Sequence, residues 1–188
     1  MRKMLPTAMG KRKRIMDRAF YARDTLLVAR EMLGQNLVYG DRRGIITETE
    51  AYHGTDDPAS HAARGMTKRN AIMFGPAGYA YVYLIYGMYF CFNITTATEG
   101  VPGAVLLCGV WADDGTHFNG PGKLCRGFGI SMVDHGRDVA TDPQFHVTRG
   151  ERTGWDFAAT PRIGIKQGLD RMWRFVLTKA ELDNMPKT

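Results

Sequence analysis

Residues 77–95 read AGYAYVYLIYGMYFCFNIT. Aromatic and β-branched residues dominate this stretch, as they do in strands that fit a half-buried pleated surface. Gly87 stands near the middle, so the spacing predicts two strands meeting at a turn. On the first strand Tyr79, Tyr81 and Tyr83 share a face, and Tyr86 falls at the tip beside Gly87. Downstream, GAVLLCGVW (103–111) reads as another buried strand, and PRIGI (161–165) and MWRFVLT (172–178) are two more strand candidates. NGPGKLCRGFGI (119–130) begins as a Gly/Pro-rich turn and continues as a short helix. Upstream, QNLVYG, a tight DRRG turn and IITETEAY form a β-hairpin over 35–52. Before it, residues 24–33 carry apolar positions at helical spacing, with Asp24 as N-cap and Gly34 as stop. A long polar loop, 53–70, separates the two hairpins. There is no internal repeat or linker, and the pattern predicts a single mixed α+β domain around a twisted, mainly antiparallel β-sheet.

At 188 residues and 44% hydrophobic, the chain can build one substantial core. No run approaches the roughly 18 apolar residues of a bilayer span, so a soluble protein without a membrane partner is expected. Residues 1–18 form a basic segment without the apolar core of a secretory signal and are expected to be a flexible arm, leaving 19–188 as the domain. Three cysteines with no CxxC spacing argue against a disulfide framework or a structural zinc site. A reducing, intracellular compartment follows, cytoplasmic and nucleoid-associated if the source is bacterial. The formal net charge of +6 favours a polyanionic partner without identifying one. A monomer is expected, since one core accounts for the apolar residues.

Within TETEAY, alternation puts Glu48, Glu50 and Tyr52 on one strand face. Two carboxylates at that spacing stand roughly 7 Å apart, in the range glycoside hydrolases use. A solvated strand face fits the hexapeptide equally well. The tyrosines shift the balance: a ring at an exposed hairpin tip needs something to stack on, and nucleobases beside a basic surface supply it. His61, in the polar loop, is by itself more readily a structural hydrogen-bonding residue. No His/Cys/Asp spacing suggests a metal set and no phosphate-cradling loop is present, so no cofactor is expected.

Taken together, TETEAY, DDPASHAARG, TKRN, YAYVYLIYGMYFCFN and NGPGKLC resemble, in order, the alkyladenine (3-methyladenine) DNA glycosylase family. The likeness runs from about residue 36 to 130 and resumes at PRIGI and WRF. It implies a mixed α/β domain with a hairpin that protrudes into the minor groove. The implied activity is base-excision repair of double-stranded DNA: a damaged purine is flipped out and its N-glycosidic bond hydrolysed without strand cleavage. By the same resemblance Glu50 is the base that activates water, and Tyr52, His61 and Tyr83 wall the base pocket. Tyr86 is the wedge that fills the gap in the duplex, and Asn93 disfavours the amino group of normal guanine. Thr67, Met73, Gly87, Met88 and Lys123 match positions on the DNA-facing surface.

One residue departs from the pattern. Where the family carries an arginine at the end of the LLC strand, this chain has Cys108. A thiol offers neither the charge nor the forked donors of a guanidinium. Slower excision is therefore expected, above all of uncharged lesions, unless another basic residue such as Arg126 takes over. Two other readings remain open on sequence: a nucleic-acid-binding module without catalysis, and a carbohydrate glycosidase using Glu48 and Glu50.

Overall fold

A computed structural model describes residues 14–186. Most of the expected arm lies outside the described residues. Its last positions belong to the fold: Ile15 bridges to Thr148, Met16 is buried in the core, and Asp17 caps the first helix.

Helix α1 (Arg18–Tyr21) leads into α2 (Thr25–Glu31), whose N-cap Asp24 accepts from the Leu27 amide at 2.9 Å, as its position before the apolar run predicts. Val28, Ala29 and Met32 are buried beneath the sheet, and the hydroxyl of Thr49 donates to the Ala29 carbonyl at 2.8 Å. Strands β1 (Asn36–Tyr39) and β2 (Arg42–His53) form the expected hairpin. Its turn is Gly40–Asp41 rather than DRRG: Gly40 supplies the left-handed backbone (φ +57°) the tight turn requires, and Arg42 and Arg43 already pair in the strand.

A short 3₁₀ turn (Ala71–Phe74) precedes β3 (Ala80–Ile85) and β4 (Tyr89–Thr95), which pair antiparallel from Ala80↔Ile94 to Ile85↔Tyr89. The remaining elements are β5 (Gly103–Ala112), β6 (His117–Asn119), α3 (Pro121–Phe128), β7 (Phe145–Thr148), β8 (Phe157–Thr160), β9 (Arg174–Leu177) and α4 (Lys179–Asp183). The sheet runs β3-β4-β5-β2-β1-β7, with β6 beside β5 and with β9 joining β8 to β2. Every strand pair is antiparallel, so the fold is α+β and the sheet mainly antiparallel, as the alternating pattern predicts.

The segment 161–165 is not a strand. β-branched residues made it read as one, but its polar groups are directed elsewhere. The Arg162 guanidinium bonds to Asp57 and to the Ala51 carbonyl, and the Ile163 amide bonds to the Glu50 side chain.

Strand β2 positions the site. It pairs with β5 along one edge and with β1 and then β9 along the other, and its register with β5 slips on both sides of Glu48. Such a bulge bends a strand and re-aims its side chains. Ile46 accordingly belongs to the main core, whereas Glu48, two residues on, lines a cavity on the opposite face together with Glu50 and Tyr52.

Candidate active site

The cavity, about 820 Å³, opens between the pocket face of β2 and β5, the β3–β4 hairpin, the polar loop and the segment 161–167. Glu50 is 2% exposed in its wall. One carboxylate oxygen, Oε2, accepts from the Tyr52 hydroxyl at 2.7 Å, and the other, Oε1, accepts from the Ile163 amide at 2.8 Å. The carboxylate is thus fixed at both ends. Burial raises its pKa above the ordinary carboxylate value, and the Glu48 charge adds to that rise. The two hydrogen bonds and the Arg162 charge pull the other way. Glu48 lies beside it and accepts from Arg174 Nε at 2.7 Å.

Aromatic rings make the opposite wall. His61 lies 4.7 Å from Tyr83 between ring centroids, and its Nδ1 shares a 2.7 Å hydrogen bond with the Tyr81 hydroxyl. Burial against the tyrosines and the Arg69 charge lower the pKa of His61, which favours the neutral ring. Burial pushes the phenols of Tyr52 and Tyr83 far up, so both remain neutral hydroxyls. Asn93 is buried in the same wall, its amide nitrogen donating to the Tyr81 carbonyl at 3.1 Å. The structure therefore brings Glu50, Tyr52, His61, Tyr83 and Asn93 around one cavity. Tyr79 is not among them; its ring lies under the Arg18 guanidinium instead.

At the hairpin tip the Ile85 carbonyl accepts from the Met88 amide across Tyr86 and Gly87. Both central residues have positive φ, 50° and 69°. Gly87 adopts this freely; Tyr86, 83% exposed, does so against the preference of an L side chain. Met88 is exposed beside it, as are Thr67 on the polar loop and Lys123 on α3. Met73 is different: at 1% exposure it packs with Ala62, Tyr81 and Ala104 behind the pocket, so it is a wall residue and not a surface one. The 3₁₀ turn folds its thioether inward.

Cys108 also lines the cavity, 3% exposed, its thiol held protonated by burial and by the Glu50 and Glu48 charges. Arg126 is exposed over Tyr89 and does not line the pocket.

Sequence reasoning missed the groups that hold this site together. Arg162 makes a two-pronged pair with Asp57 and stacks over Tyr52 and Trp173 at 4.7 and 5.1 Å. Asn70 ties down the loop that carries His61, donating to the His61 and Gly65 carbonyls at 2.7 and 3.0 Å. Tyr81 holds His61, and Arg174 pairs with Glu48. The aromatic run in 77–95 was the available signal for Tyr81. Asn70 acts within its own loop, where no periodic pattern marks it, and the two arginines meet their partners only through long-range folding. Among the described residues no cluster of three or more His, Cys, Asp or Glu side chains could hold a metal.

Residues 19–181 match the family model of methylpurine-DNA glycosylase. The chain belongs to this family. A Rickettsia felis relative is 49% identical over 167 residues, covering 87% of this chain and 93% of its own. One from Sodalis glossinidius is 50% identical over 163 residues (86% and 95%), and one from Ehrlichia chaffeensis 44% over 167 (87% and 93%). Each is provisionally named a 3-methyladenine DNA glycosylase. A methylpurine-DNA glycosylase is a DNA-repair hydrolase of N-glycosyl bonds, and membership places this chain in that class with DNA as its substrate.

Proposed function

We propose that the protein is a monomeric, monofunctional glycosylase. It draws an alkylated or deaminated purine out of duplex DNA into the pocket and hydrolyses its N-glycosidic bond with water activated by Glu50. The observation that carries this reading is the Glu50 carboxylate, buried beside a ring-walled cavity and held by a hydroxyl at one oxygen and a backbone amide at the other.

A purine in the stack shields C1′, so extrusion must precede attack. Tyr86 at the hairpin tip suits insertion into the vacated space, with Met88 and Gly87 beside it, and the exposed Thr67 and Lys123 are assigned to contacts with the backbone. Tyr52, His61 and Tyr83 enclose the extruded base, and electron-rich rings attract the cationic ring of an alkylated purine. Asn93 stands in the same wall with its amide nitrogen held by the Tyr81 carbonyl, and a fixed amide there suits the rejection of the amino group of normal guanine. Water oxygen then bonds to C1′, its proton passes to Glu50, and the C1′–N bonding pair leaves with the purine. The carboxylate also faces the positive charge that grows on the sugar.

The lysine of the described pocket lining, Lys166, lies on the exposed segment beyond Ile163, and hydrolysis through Glu50 needs no amine. A carbohydrate glycosidase would need Glu48 as proton donor, yet its carboxylate is engaged by Arg174.

The test is incubation with duplex oligonucleotides carrying one 7-methylguanine or one hypoxanthine. Release of free base, leaving an intact abasic strand and no borohydride-trapped adduct, is expected. Absence of release from both lesions would overturn the catalytic reading, and an adduct lost in Lys166→Ala would overturn the monofunctional one.

A further inference from the structure

We propose that the Glu48–Arg174 ion pair sets the charge of the site: Arg174 neutralises Glu48 and so keeps Glu50 available as the proton acceptor. This rests on the reading of Glu50 as the base.

The ladder between β2 and β9 places Arg174 directly opposite Glu50, with Thr49 opposite Phe175 and Glu48 opposite Val176. Directly opposed residues share a face of the sheet, so the guanidinium is delivered to the carboxylate side of β2. It is then drawn along the strand. Nε donates to Glu48 Oε1 at 2.7 Å, and Nη1 donates to Thr160 Oγ1 at 3.0 Å across the β8–β9 pair. Both partners of the pair are largely buried, at 18% and 16% side-chain exposure, and both line the cavity. Solvent therefore screens Glu48 from Glu50 poorly, and an unpaired Glu48 would resist ionisation of its neighbour.

The charged and titratable groups around Glu50 leave Arg174 this task. From β2 come Glu48 and Tyr52, from β5 Cys108, from β4 Cys91, from β3 Tyr83, from the polar loop His61, from the segment after β8 Arg162 and the exposed Lys166, and from β9 Arg174. His117 of β6 feels the charge of Glu48, and burial favours the neutral form of both histidines. The tyrosines and thiols are neutral, their pKa values raised by burial. Arg162 is already committed to both oxygens of Asp57. Arg174 is the guanidinium that meets Glu48. Arg174 and the neutral Cys108 thiol both line the cavity, so a guanidinium reaches this wall from β9.

Arg174 is thus a positioning residue, and opposite changes at the two partners distinguish charge tuning from structural support. Single-turnover excision of 7-methylguanine, whose ring is cationic without taking up a proton, is measured against pH. Arg174→Gln leaves Glu48 unpaired and moves the acid limb to higher pH. Glu48→Gln leaves Arg174 unpaired and moves it to lower pH. The double variant returns it toward the wild-type position. A limb displaced by one pH unit appears as about a tenfold change in rate at a fixed pH below it. Should Arg174→Gln fail to fold, the downward shift in Glu48→Gln and its reversal in the double variant carry the same test. Acid limbs that coincide in all the proteins, or rates scaled by one factor at every pH, would overturn the inference while leaving Glu50 as the base. A wild-type-like rate in Glu50→Gln would overturn the reading of Glu50, and the inference with it.

Discussion

Arg162 and Asp57, 105 positions apart, close a two-pronged ion pair at 2.6 and 2.7 Å with both side chains fully buried. The same guanidinium donates to the Ala51 carbonyl at 2.9 Å, between Glu50 and Tyr52 on β2. It thereby pins the start of the 161–167 segment against that strand, and the next residue, Ile163, delivers its amide to Glu50. Removing one member of a buried pair leaves an uncompensated charge, a loss of about 3–5 kcal/mol. Asp57→Ala is expected to lose stability of that order in urea unfolding, and to slow excision as the amide loses its aim. A stability within about 0.5 kcal/mol of wild type, the range of an ordinary surface change, would show that the pair does not anchor the segment.

The pKa of Glu50 is raised above its ordinary 4.5, chiefly by burial. A carboxyl raised in the folded state contributes stability below its unfolded pKa, and that contribution is lost as pH rises through the folded value. The ionised form needed for catalysis is therefore the destabilising one. Glu50→Gln should match the parent in stability at pH below about 4.5 and become the more stable protein as pH rises toward neutrality. Urea titrations across that range check this; a constant offset between the two proteins would contradict it.

Tyr86 carries its backbone strain at an exposed tip (φ 50°, 83% exposed). Left-handed backbone costs most side chains about 1–2 kcal/mol, and asparagine less. Tyr86→Asn should hold or raise stability by up to about 1 kcal/mol while weakening binding to lesion-bearing duplex and reducing the fluorescence signal of an extruded base analogue. A flipping signal equal to wild type would remove the wedge role.

Arg64, Lys68 and Arg69 on the polar loop, Lys123 and Arg126 on α3, and Lys166 past Ile163 are exposed. Each cation that meets a phosphate releases counterions, so log affinity should fall against log salt with a slope of about −0.9 per contact. Lys68→Gln and Arg126→Gln should each flatten that slope by about one, across duplexes of different sequence. Slopes unchanged in both would place the DNA on another face.

Much of this was legible in the sequence. Strong local periodicity revealed the 36–53 hairpin, the 80–95 hairpin and the 103–112 strand, because alternation and turn glycines act over a few residues. Alternation also puts Glu50 and Tyr52 on one face and Tyr83 on a tyrosine-bearing one, whereas their pocket roles, and that of Asn93, come from the family resemblance. The supporting shell was not legible, since Asp57, Arg162 and Arg174 find their partners more than 100 residues away. The segment 161–165 misled for a related reason: β-branched residues suit a strand, yet one buried arginine and one amide tie this segment to the site instead. The resemblance sets Met73 on the DNA-facing surface, and nothing in the local sequence corrects it, because the direction a 3₁₀ turn faces is fixed by its packing.

The central claim is that Glu50 takes the proton of the attacking water, and single-turnover base release by Glu50→Gln tests it most directly. The substitution keeps the size of the side chain and removes its proton acceptor. On duplex carrying one 7-methylguanine, at saturating enzyme, release is expected to fall by roughly 10²–10⁴-fold while the affinity for that duplex is retained. Release at the wild-type rate by a folded, DNA-binding Glu50→Gln protein would contradict the claim.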